Sequence, residues 1–291
     1  MRVQTFSIVA GSEACNARCP FCISKMTPPE GITLKEPQVN WRNFRKAALF
    51  AKQSGTTTVL ITSKGEPTLF PEQITRYLDA VAEFDFPFVE LQTNGILLAE
   101  QKDKYQPFLK TWYEKGMTMI AISIVHYEPE KNREIYLPYK KQYIDLPALI
   151  KQLHTSGFSV RLTCILADGY IDTPEKLQEL ILFAKQNQVE HLTIRPVNKP
   201  EQSRSAGVEA WVAKNYLKEA SFEAIKTFIQ TKGTLILTRA HNIRIYDVYG
   251  QNLCLTNCLM SDPSDEELRQ LIFFPDGHIR YDWQYGGAIL L

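Results

Sequence analysis

The 291-residue chain lacks most features that mark membrane, secreted or nucleic-acid-binding proteins. No apolar stretch approaches the ~20 residues that a bilayer-spanning helix needs. The opening MRVQTFSIVA carries one charge and a short apolar run. That run breaks at Gly11 and Ser12 without a small-residue cleavage site, which speaks against a secretory signal. An excess of one charge sign is missing too: a net charge of +1 creates no general field for nucleic acid or an anionic membrane. Histidine is scarce, with five in the chain. No repeat, low-complexity tract or linker divides the main body. The expectation is a cytoplasmic protein with no nucleic-acid or membrane partner. The 44% hydrophobic fraction is ordinary for a packed globular chain of one large or two small domains.

What is present is an alternation. β-rich runs at 4–9, 57–62, 88–92, 118–124, 159–166 and 191–194 are separated by amphipathic segments at 41–54, 71–83, 102–115, 146–156 and 174–187, with a further helix at 216–231. Gly55, Gly116 and Gly157 each close a helical pattern and precede a strand, where a C-terminal helix cap belongs. Six strand–helix units over about 230 residues predict an α/β fold, a partial (β/α)6 TIM-type barrel, although an open doubly wound sheet fits the pattern nearly as well. The rhythm then changes. Residues 1–233 are read as the barrel and 234–291 as a C-terminal capping segment, with a small hairpin around Pro275-Asp276-Gly277.

The six cysteines stand at 15, 19, 22, 164, 254 and 258. In a reducing cytosol, clustered cysteines more often bind metal or do redox chemistry than form disulfides. Cys15-Asn-Ala-Arg-Cys19-Pro-Phe-Cys22 places three thiols within eight residues, directly after the first strand. Thiolates suit iron–sulfur clusters and zinc alike. A closed zinc site normally takes four ligands, and the nearest histidine is His126. Three cysteines instead leave one cluster iron open to a small molecule.

The C-x3-C-x2-C spacing, with Phe21 before its last cysteine, resembles the signature of the radical S-adenosylmethionine (SAM) superfamily. Gly65-Glu66-Pro67-Thr68-Leu69 follows the second strand and looks like that family's SAM amino-group motif, with Lys64 where another glycine is frequent. Alone it would read as a Gly-Pro turn; one βα unit after the cysteine loop, the motif reading prevails. Thr93-Asn94-Gly95 ends the third strand, as in many members. By resemblance, Ser123 and Arg161 bind the ribose and carboxylate of SAM, a structural salt bridge being the even alternative for Arg161. Ile194-Arg195-Pro196-Val197 ends the sixth strand, where the family holds adenine. Each feature falls at a strand C-terminus, the face where barrel ligands bind.

The resemblance implies a [4Fe–4S] cluster on Cys15, Cys19 and Cys22, and SAM as second cofactor. It also implies an external one-electron reductant of flavodoxin or ferredoxin type. A 5′-deoxyadenosyl radical would then abstract hydrogen from a substrate. Within the superfamily the core is similar to the branch of the molybdenum-cofactor cyclase and viperin. Cys164 reads as a core residue. Cys254 and Cys258 are read, in descending order, as structural thiols, a hydrogen-donor or redox pair, or partial ligands; no auxiliary cluster is expected.

His126, Tyr127 and Asn132 after strand four, Lys199 and Arg204 after strand six, Lys64, and Tyr281 and Trp283 in the tail are candidate substrate contacts. His126, Cys254 and Cys258 are the candidate catalytic groups, with His126 equally able to be packing. The expected substrate is a small polar or nucleotide-like metabolite in a biosynthetic pathway. The alternatives are an activase or another peptide- or protein-modifying enzyme of the same superfamily. Outside it stand a non-catalytic zinc or electron-transfer protein and an α/β protein with incidental cysteines.

Overall fold

The β-rich runs form β1 (Arg2–Val9), β2 (Thr58–Thr62), β3 (Phe88–Thr93), β4 (Met119–Ile124), β5 (Ser159–Leu166) and β6 (His191–Pro196). The structure, a computed structural model, describes residues 1–28, 32–198, 203–257 and 267–291. The helices are α1 (Ile23–Met26), α2 (Trp41–Gln53), α3 (Pro71–Ala82), α4 (Ile96–Glu100), α5 (Lys102–Glu114), α6 (Pro129–Tyr136), α7 (Leu146–Thr155), α8 (Pro174–Gln186), α9 (Ala206–Asn215) and α10 (Glu219–Lys232). Local chemistry sets several starts. Asn40, Asp145 and Thr173 accept the backbone N–H three residues on, capping α2, α7 and α8, and Pro71, Pro129 and Pro174 occupy first turns. Gly55, Gly116 and Gly157 are left-handed, as a helix stop before a strand requires.

The chain beyond residue 232 supplies β7 (Gly233–Arg239), β8 (Ile243–Val248), β9 (Gln251–Leu255), β10 (Glu267–Phe273) and β11 (Ile279–Arg280). All belong to one sheet in the order β11-β10-β1-β2-β3-β4-β5-β6-β9-β8-β7. Pairing is parallel from β10 across to β9, and the β7–β8, β8–β9 and β10–β11 pairs are antiparallel. The last part of the chain thus gives backbone partners to both edges of the six-stranded core, edges that would otherwise stand unpaired. The hairpin around Pro275-Asp276-Gly277 joins β10 to β11, where Phe273 pairs with Ile279.

Side-chain alternation separates two faces. Phe6, Ile8, Val59, Ile61, Leu91, Ile120, Ile122, Leu162 and Ile194 are buried in the main core, into which the helices pack; Phe6 meets Phe44 of α2 at 5.9 Å. Cys164 is fully buried in this layer. The alternate positions, among them Ser7, Glu90, Ser123, Arg161, Thr163 and Arg195, form the interior face of a partial TIM-type barrel. The parallel part of the sheet curls so that β10 approaches the segment past β9: Arg269 of β10 donates from Nη2 to the Asn257 carbonyl at 2.7 Å. Among the described residues, no helix is long and apolar enough to cross a membrane.

Candidate active site at the strand C-termini

Three loops leave the C-terminal ends of β1, β2 and β3, and hydrogen bonds make them one unit. Glu66 N–H donates to the Ala14 carbonyl at 2.9 Å, strapping the turn after β2 to the cysteine loop. A Cβ on Gly65 would lie 2.1 Å from that same carbonyl oxygen, so only glycine permits the approach. The close neighbour of Gly65 is therefore the cysteine-loop backbone.

Glu66 is buried, and its carboxylate is filled by the protein. Oε1 accepts from Thr68 N–H (3.0 Å) and from the hydroxyls of Thr68 and Thr93 (2.6 Å each), while Oε2 accepts from Asn94 N–H at 2.9 Å. Burial nevertheless holds its pKa above the usual carboxylate range, the hydrogen bonds opposing that shift. In the sequence this carboxylate belongs to the stretch that resembles the SAM amino-group motif. The structure uses it to join the turn after β2 to the end of β3. Asn94 completes the unit, its Nδ2 donating to Asn16 Oδ1 in the cysteine loop at 2.7 Å.

Cys15, Cys19 and Cys22 are half-buried and reduced. Burial is the largest influence on two of them, pushing Cys15 up to about 11 and Cys19 well above the usual thiol value. Each also feels a neighbouring thiol: Cys19 responds to Cys22 and Cys15, and Cys15 to Cys22. Thiolates gathered here therefore require positive charge, which metal ions supply. Among the described residues no three His, Cys, Asp or Glu side chains converge as ligands of a single ion.

An iron–sulfur cluster suits the donors that surround the loop. Asn16 Nδ2, Tyr136 Oη and Tyr143 Oη are buried and lack a hydrogen-bond partner, although such atoms are nearly always satisfied. Both phenols lie close enough to Cys19 for its charge to act on them. Sulfide and thiolate acceptors at the loop would meet these donors. The same segment clamps the loop directly: Arg18 N–H donates to the Tyr136 carbonyl at 3.0 Å, and the Tyr139 hydroxyl to the Asn16 carbonyl at 2.6 Å. Nothing in the sequence pattern marked Tyr136 or Tyr143, because their place beside the cysteine loop follows from where the segment after β4 folds back.

The remaining sequence candidates divide by position. Phe21 packs on Trp211 of α9 at 5.3 Å and beside Val197, bringing the cysteine loop to the end of β6. Ser123 pairs in register with Thr163 on the interior face. Arg161 lies deeper, in an ion pair with Glu90 at 2.5 Å and against Met119 Sδ at 3.5 Å, so the salt-bridge alternative describes its contacts here. Arg195 also faces inward, between Ile165 of β5 and β9, and its buried Nε has no partner. Pro196 ends β6, and Val197 N–H bonds the Leu166 carbonyl. Cys254 stands in register with Thr193, with Arg195, Arg161 and Arg269 close enough to act on it; burial is the larger influence and raises its pKa.

Lys64 is buried, donating to Thr27 Oγ1 at 2.6 Å with Nζ 5.5 Å from the Trp283 ring centre. Trp283 packs on Phe274, while Tyr281 is exposed. Asn132 is spent on its own loop, accepting from Val125 N–H (2.9 Å) and donating to the His126 carbonyl (2.5 Å). The Tyr127 hydroxyl pairs with Glu179. His126 is buried, stacks on Tyr127 at 4.4 Å, and accepts at Nδ1 from Glu128 N–H. These contacts occupy the polar groups of Asn132 and Tyr127 within the protein. Arg204 is exposed ahead of α9; Lys199 and Cys258 lie outside the described residues.

Compared with known families, residues 9–194, well over half the chain, match the radical SAM superfamily. No curated protein matches. Among solved structures, the chain is similar to Streptococcus suis SuiB bound to its precursor peptide SuiA (15% identity, TM-score 0.59, 96% of this chain and 59% of that one). It is also similar to methylornithine synthase, PylB (17%, 0.53, 91% and 74%), and to a radical SAM methyltransferase from Sphaerobacter thermophilus (14%, 0.52, 88% and 65%). At these identities the likeness concerns the fold, and the chain spans 59% of the length of SuiB. The ordered strand-end motifs, their fusion into one hydrogen-bonded unit and the family match agree: the chain belongs to the radical SAM superfamily of enzymes, which use a [4Fe–4S] cluster and SAM.

Proposed function

We propose that Cys15, Cys19 and Cys22 hold the cluster, that main-chain carbonyls of the Gly65–Pro67 turn receive the amino group of SAM, and that the barrel interior admits a small polar substrate. The observation that carries this reading is the three-loop unit. Glu66 ties the turn after β2 to Thr93 and Asn94 after β3, and both loops bond the cysteine loop through Ala14 and Asn16. A rigid frame of this kind fixes a metal centre and an amine site at a set separation. When bound, the reduced cluster supplies the electron that cleaves SAM and so starts hydrogen abstraction; an external reductant of flavodoxin or ferredoxin type provides it. Ser123, Thr163 and Arg195 supply polar contacts on the interior wall, while Phe21, Trp211 and Val197 keep the side near β6 apolar.

A second reading, modification of a peptide, is favoured by the outermost strand β7. Leu235, Ile236 and Leu237 are exposed there, and an extended peptide can add to such an edge.

The test is anaerobic reconstitution with iron and sulfide, reduction, and assay of 5′-deoxyadenosine from SAM, against a Cys15→Ala/Cys19→Ala/Cys22→Ala control. Formation by the wild-type protein alone supports the reading. Zinc without acid-labile sulfide, or equal product from both proteins, overturns it.

A further inference from the structure

We propose that Arg195 anchors an anionic oxygen group of the substrate, a carboxylate or phosphate; this rests on the barrel interior being the active site. The position follows from strand alternation. Leu192 and Ile194 of β6 are buried in the helix-covered core, which turns Thr193 and Arg195 to the interior face. In the sheet, Arg195 pairs with Ile165 of β5 and Thr193 pairs with Cys254 of β9.

The interior carries three neighbouring guanidinium groups, and their partners differ. Arg161 is neutralised by Glu90 at 2.5 Å. Arg269 is tied to the Asn257 carbonyl at 2.7 Å. Arg195 makes no hydrogen bond or ion pair among the described residues, and its Nε is fully shielded from solvent with nothing to receive its proton. Leaving such a donor unsatisfied costs roughly 1–3 kcal/mol, more when the group is charged. Among the described residues no carboxylate pairs with Arg195, and the same three arginines act on the Cys254 thiol.

The missing partner therefore needs negative charge and at least two acceptor oxygens. A guanidinium fork pairs bidentately with carboxylate or phosphate, whereas a neutral sugar or amide would leave the charge uncompensated. The chain's inward arginine thus selects among polar metabolites for anionic ones.

The probes are inorganic phosphate and acetate, titrated at constant ionic strength against chloride into the reconstituted, SAM-loaded enzyme and followed by calorimetry. Saturable binding of one probe is expected, and which probe binds separates phosphate from carboxylate. Arg195→Gln should weaken it at least tenfold while SAM affinity changes less than twofold; Arg195→Lys, which keeps charge but loses the fork, should fall between. Thermal unfolding checks that each variant is folded, and Arg195→Lys carries the test should the glutamine variant fail. Absence of saturable binding, binding independent of Arg195, or an equal loss of SAM affinity overturns the proposal. Formation of 5′-deoxyadenosine by the wild-type enzyme without added anion reports on the cofactor site separately, so the two readings fail distinguishably.

Discussion

The unpartnered phenols beside the cysteine loop make a prediction whose sign depends on cluster loading. Tyr136 and Tyr143 stack loosely, with ring centres 6.2 Å apart, and both hydroxyls are buried without a partner. A buried, unsatisfied hydroxyl costs roughly 1–3 kcal/mol, so Tyr136→Phe or Tyr143→Phe should stabilise the cluster-free protein by about 1 kcal/mol each. In a chain of this size that raises Tm by about 2 °C per substitution, and by about 4 °C for the pair if they add. In the cluster-loaded protein each hydroxyl has sulfur to donate to, so the gain should vanish or reverse. Loss of hydrogen bonds to cluster sulfur should also lower the midpoint potential, read by EPR-monitored redox titration. The assay is differential: unfolding of wild type and variants, with and without the cluster, anaerobically. A fall in Tm of the cluster-free variants, or the same rise in both forms, would refute the reasoning.

Other consequences follow from named contacts. Gly65→Ala forces a methyl group to 2.1 Å from the Ala14 carbonyl oxygen, so the turn and cysteine loop must separate, at a cost of roughly 1–3 kcal/mol; iron bound per protein after reconstitution should fall several-fold. Arg161→Met leaves buried Glu90 unpaired and should destabilise the fold by about 2 kcal/mol, below the range for a fully buried pair because Arg161 is 26% exposed; adding Glu90→Met should recover most of this in denaturant titrations. Burial holds the His126 pKa below its ordinary value of 6.5, nearby cations assisting, so the unfolded chain binds the extra proton first. Its contribution is present above pH 6.5 and lost as pH falls through the folded value. Urea midpoints between pH 5 and 8 should show a decline toward acid that is shallower in His126→Asn.

The strand–helix alternation and the order of the motifs were legible in the residues alone, whereas barrel and open sheet fitted the alternation almost equally. Periodicity and capping are local: β5 spans the same residues, 159–166, as its β-rich run, and Asn40, Asp145 and Thr173 cap their own helices. The cysteine loop was legible for the same reason, since three thiols within eight residues constrain one another whatever surrounds them. Tertiary structure alone decided what each motif touches. Glu66 reads as a ligand in sequence, but four donors from β2 and β3 fill its carboxylate, and Gly65 is small because Ala14 lies against it. Tyr127 and Asn132, both placed after a barrel strand, are turned to Glu179 and their own loop. The final strands were hidden because edge pairing depends on a distant partner: β10 joins β1 across more than 260 residues of chain, and β9 joins β6 at the opposite edge. Long-range pairing leaves only a weak local imprint; alternation along β6 turns Arg195 inward, but what surrounds it depends on Glu90 having paired with Arg161.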